Sequence, residues 1–89
     1  MKAVITVTGK DSVGIIALVA TVCAEHGVNI QDITQTVLDD YFAMIMLADI
    51  RGLNVPFADF ADSLAALGTE RGLDIRAMHE DIFNTMHHI

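Results

Sequence analysis

Residues 28–50 read VNIQDITQTVLDDYFAMIMLADI, and the two halves of that run behave differently on either side of Asp39-Asp40. Val28 to Leu38 interleaves Asn29, Gln31, Asp32, Thr34, Gln35 and Thr36 with Ile30, Ile33 and Val37, which reads as a strand of unusual polarity. Asp39-Asp40 supplies a two-residue turn, and Tyr41 to Ile50 is a second strand, so the pair forms a hairpin. On that second strand Tyr41, Ala43, Ile45 and Leu47 point one way, and Phe42, Met44, Met46 and Ala48 point the other. Both sets are apolar. Such a strand belongs inside a sheet, and the expectation is that the sheet is covered on both faces.

Working outward, Lys2 to Thr8 is dense in β-branched residues and forms another strand. Gly9-Lys10-Asp11-Ser12 interrupts it. Ile15, Val19, Val22 and Cys23 then recur at helical spacing, with Asp11 or Ser12 as candidate caps and Gly27 as terminator. Beyond the hairpin, Gly52 and Pro56 punctuate a loop. Phe57, Phe60, Ala61, Leu64 and Leu67 come next at the i, i+3, i+4, i+7 spacing of a second helix, with Gly68 and Gly72 bracketing its end. Leu73 to His79 is a fourth strand, and Ile82, Phe83 and Met86 suggest a short amphipathic helical turn. The order implies an α+β, ferredoxin-like βαββαβ domain over residues 1–89, with a C-terminal extension from about residue 80. It has a four-stranded antiparallel sheet, two helices on one face and a short C-terminal helical turn. In that topology the polar second strand is an edge, and the first and third strands are central.

The chain has 89 residues, 53% of them hydrophobic, with 12 acidic and 5 basic side chains and a net charge of −7. So small a domain has a thin core, and the surplus of apolar side chains points to an oligomer interface. The acidity argues against nucleic acid and anionic membranes as partners, because phosphate binding runs on Lys and Arg. Cys23 is alone, which excludes a disulfide framework and any CxxC site. Gly9-Lys10-Asp11 breaks the first apolar run before a secretory or membrane-spanning segment develops, so a cytoplasmic location is expected.

Two motifs carry a family resemblance. Gly9-Lys10-Asp11-Ser12-Val13-Gly14-Ile15 resembles the G-x-D-x-x-G-I loop of ACT domains. Gly27-Val28-Asn29-Ile30 resembles the stretch that opens their second strand. The tail from His79 to His87 is similar to that of a group of short bacterial and archaeal single-ACT proteins. The resemblance implies a small effector, most often an amino acid, bound where the first loop meets the start of the second strand, commonly across a dimer interface. Carried over by position, the implied contacts are Gly9, Asp11, Ser12 and Gly14 from the loop, with Asn29, Gln31 and Asp32 from the strand. Backbone amides around Gly14 suit a carboxylate, Asp11 or Asp32 an ammonium. Ser12-Val13 departs from the basic-then-proline pair common before that glycine. The expected function is a regulatory homodimer, with no cofactor and no catalytic activity, read by a separately encoded protein. The alternative is an obligate dimeric interaction module that binds no metabolite and docks through the second sheet face and the Ile82, Phe83, Met86 turn.

Other chemistries fit less well. Gly9 and Gly14 have the spacing of a phosphate loop, but Ile15-Ile16 stand where Lys and Ser/Thr are needed. Ser12 and His26 sit at opposite ends of one helix, roughly 20 Å apart at 1.5 Å per residue, so they cannot act as nucleophile and base within one subunit. Cys23 falls on the apolar stripe as a structural thiol. His79 and His87 are weak candidate metal ligands, because the turn between them could fold back.

Overall fold

The computed structural model describes residues 1–10 and 13–86. Its elements are β1 (Lys2–Gly9), α1 (Ile15–Glu25), β2 (Asn29–Leu38), β3 (Tyr41–Asp49), α2 (Phe57–Arg71), β4 (Asp74–His79) and α3 (Glu80–Met86). The strands form an antiparallel sheet in the order β2-β3-β1-β4, which is the ferredoxin-like arrangement with β2 at an edge and β1 and β3 central.

Alternation along the central strands builds the core. Ala3, Ile5 and Val7 of β1 and Phe42, Met44, Met46 and Ala48 of β3 are all buried on one face. Ile15, Val19 and Cys23 from α1 and Phe60 and Leu64 from α2 join the same cluster. The opposite face is different. Val4 is buried and Leu47 half-buried, but Tyr41 and Ile45 remain 55% and 43% exposed. The expectation of a sheet covered on both faces therefore fails for a single chain over most of β3. The apolar residues are present, but the helices all pack elsewhere except near the end where α3 touches β1 and β4.

Pairing of β2 with β3 shifts register between Ile30 and Asp32, leaving Gln31 as the extra residue of a β-bulge. The bulge has a purpose that side-chain parity makes plain. Ile30 pairs with Ala48 and Ile33 with Met46, so both face the helices although they are three residues apart. Without the inserted residue one of them would point to the open face.

Helix α1 ends at Gly27, whose φ of 73° is left-handed. The Val28 amide donates to the Cys23 carbonyl at 2.8 Å and the Gly27 amide to that of Ala24 at 3.2 Å, the paired bonds of a Schellman motif. An added Cβ at Gly27 would run into the Gly52 carbonyl, so the two loops at that end of the molecule touch through bare backbone. Asn54 ties them further, donating from its side chain to the Glu25 carbonyl and from its amide to that of His26, each at 3.1 Å. Gly72 ends α2. Gly68 does not: it lies inside the helix and is buried, where an added Cβ would come 2.7 Å from the Leu73 carbonyl oxygen and 3.0 Å from Ile75. Its role is to let β4 approach α2.

Candidate functional site

The loop after β1 opens at Gly9, which pairs with Phe42 and where a Cβ would strike the Leu73 side chain. It closes at Gly14, the N-cap of α1 at φ 74°, with none of the described residues within 4 Å of an added Cβ. The Gly14 carbonyl takes the first helical bond from the Leu18 amide at 3.1 Å. The amides of Ile15, Ile16 and Ala17 consequently open the helix without acceptors inside it, at its positive end. Such an end receives a carboxylate. Asp11 and Ser12, expected both as caps and as ligand contacts, lie outside the described residues. The Lys10 ammonium sits 5.2 Å from the centre of the Tyr41 ring, on the sheet side of the loop.

Sequence reasoning passed over one residue near this loop. A cleft of about 60 Å³ between the first turn of α1 and the end of α2 is lined by Val13, Ile15, Leu18, Arg71 and Leu73. It places Arg71 beside the helix start, at a space the size of about two waters. Arg71 looked isolated in the sequence because the neighbours that give it meaning are more than fifty residues away.

The second half of the expected site lies at the start of β2. Asn29 is exposed and pairs with Asp49. The Arg51 guanidinium grips that aspartate: its Nε donates to Oδ1 and Oδ2 at 3.1 and 2.9 Å, and its Nη2 lies 2.7 Å from Oδ2. These contacts hold the Asp49 carboxyl below the usual carboxylate range. Arg51 is thus committed within the chain. Gln31 is the bulge residue, and Asp32 accepts a bond from the Ile33 amide at 2.9 Å.

These two halves do not meet within one chain. Gly9 pairs with Phe42 at one end of β3 and Asn29 pairs with Asp49 at the other. At ~3.4 Å per residue they are roughly 24 Å apart along the sheet. Two copies joined antiparallel through their β2 edges would place the Gly9 end of one beside the Asn29 end of the other.

His26, His79 and Cys23 hold structural positions. The His26 Nδ1–H donates to the Val22 carbonyl at 2.7 Å, and its ring leans on Phe60 at 5.6 Å. His79 stacks on Phe57, with ring centres 4.2 Å apart. His87 lies outside the described residues, and among the described residues no three metal-ligating side chains come together. Burial pushes the Cys23 thiol up to about 11. No described helix is long and apolar enough to cross a membrane.

Comparison with known proteins agrees with this architecture. The family model of the ACT domain matches residues 2–78. A UPF0237 protein of Methanopyrus kandleri is 44% identical over 88 residues, covering 99% of this chain and 98% of that protein. A UPF0237 protein of Clostridium perfringens is 47% identical over 89 residues and the full length of both. Among solved structures, an ACT domain protein from Streptococcus pneumoniae superposes with a TM-score of 0.79 at 41% identity, covering 93% of each chain.

Proposed function

Because the chain belongs to the ACT-domain family, whose members are small-molecule-binding regulatory domains, we propose that it is an amino-acid sensor that works as a homodimer without catalysis. The observation that carries this reading is the separation of the two half-sites at opposite ends of a sheet whose β2 edge is unpaired. Joining two β2 edges turns two incomplete sites into two complete ones. In each, the effector's carboxylate meets the start of α1, with Arg71 close by, and its ammonium meets Asp11 of the same chain or Asp32 of the second copy. Asn29 of the second copy donates and accepts at the same place. Ligand then stabilises one dimer geometry, which a separately encoded cytoplasmic protein reads.

Thermal unfolding of the purified chain against the twenty amino acids, at fixed protein concentration, tests the proposal. An effector at a hundred times its Kd adds about 2.7 kcal/mol, and each kcal/mol moves the midpoint of a domain this size by roughly 4–8 °C. One or two amino acids should therefore raise the midpoint by about 10–20 °C, and Asp11→Ala and Asn29→Ala should remove the response. A flat response to all twenty contradicts the sensor reading.

A specific observation favours the second reading, an interaction module: the exposed Tyr41, Ile45 and, at 76%, Leu38 give the open sheet face an apolar patch. Tyr41→Asp probes that surface. Phe83 is half-buried and would report packing instead.

A further inference from the structure

The ACT family model ends at residue 78, yet the short relatives align over 99–100% of this chain. The segment after β4 is therefore shared with full-length relatives and lies outside the general family pattern. In the structure it forms α3, which contacts β1 and β4 and builds a groove of about 520 Å³ against the start of β1. We infer that this groove is a second ligand site, for a small dipolar molecule carrying both an ammonium and a carboxylate. It is independent of the effector site described above.

The groove is lined by Met1, Lys2, His79, Glu80, Asp81 and Ile82. Residues of both charge signs line this groove, and among the described residues no ion pair joins Lys2 to Glu80 or Asp81. A ligand bearing the complementary pair can bridge such residues, with its carboxylate at Lys2 and its ammonium at Glu80 and Asp81. A ligand of single charge satisfies one wall and leaves the other unmet. The His79 ring stacks on Phe57, which packs against the buried Phe60, and this anchors the end of β4 from which Glu80, Asp81 and Ile82 continue. A wall fixed before binding loses little freedom when the ligand arrives. Exposed Ile82 and Met1 offer apolar surface to a short hydrocarbon segment. The volume lies within the range of small-molecule sites, about 300–1,000 Å³.

Amide NMR titration of the full chain tests the inference, with γ-aminobutyrate and L-leucine as dipolar probes and propionate and propylammonium as singly charged controls. Saturable shifts are expected at Lys2 and residues 79–82 with a dipolar probe and not with the controls. In Lys2→Met and Glu80→Gln that binding should weaken about tenfold or more, while the dispersion of the spectrum shows both variants folded. Absence of saturable shifts there, an equal response to either control, or a smaller loss in either variant overturns it. Shifts confined to Gly14 and Asn29 would place binding at the effector site alone and also overturn it.

Discussion

Gly14 and Gly27 have almost the same left-handed φ, 74° and 73°, but different surroundings. At Gly14 a methyl group meets none of the described residues, so Gly14→Ala is expected to carry the backbone strain of about 1–2 kcal/mol. At Gly27 the same strain is joined by collision with the Gly52 carbonyl. Gly27→Ala is therefore expected to be clearly more destabilising, by roughly 3 kcal/mol or more, since relief requires two loops to separate. Urea unfolding of the two variants side by side checks the difference. Cys23 supplies a pH prediction. Its thiol ordinarily ionises near 9 and in the folded chain near 11, so above pH 9 the unfolded chain releases a proton that the folded chain retains. The stability due to the neutral thiol is whole below pH 9 and is lost as pH rises toward 11. Denaturant midpoints over that interval should fall more steeply in the native chain than in Cys23→Ala. The same burial predicts slow alkylation of folded protein at pH 8.

Among the elements, β2 and α2 mark the limits of what could be read from the chain. Apolar residues on both faces made Tyr41 to Ile50 legible as a central strand, but they could not say whether its second face is covered within one chain. The bulge at Gln31 left a trace in the three-residue spacing of Ile30 and Ile33, which breaks the alternation of a regular strand. Gly68 reads as a helix end in the sequence because its reason is the passage of Leu73 and Ile75 beside it, a long-range contact invisible to local pattern. Helix propensity favours Gly68→Ala by about 1 kcal/mol, whereas the close approach of β4 opposes it. Packing should win, with a net loss of roughly 1–2 kcal/mol, measured by denaturant unfolding. On β2, residues 33–38 carry neither charge nor proline, so little protects this edge from pairing with another chain. Val37 is 65% exposed. Val37→Lys should weaken self-association about tenfold or more without unfolding the monomer, which sedimentation over a range of concentrations will show.

For the whole molecule, the apolar composition and the thin core have a common explanation in the surface left open around the β2–β3 hairpin. Leu38, Tyr41 and Ile45 lie on one side of it, Ile33 and Val37 on the other. The candidate site was legible as two motifs but not as a place. Because β1 and β2 each run antiparallel to β3, the loop that ends β1 and the residues that begin β2 must lie at opposite ends of the sheet. In the proposed homodimer a second copy brings them together. Mixing Asp11→Ala with Asn29→Ala protein, each expected to ignore the effector alone, tests it directly by equilibrium binding. Random reassociation gives heterodimers with one intact site each, so the mixture should recover about a quarter of wild-type binding capacity. No recovery in the mixture, while wild type binds and the variants exchange subunits, would contradict a site shared between two chains.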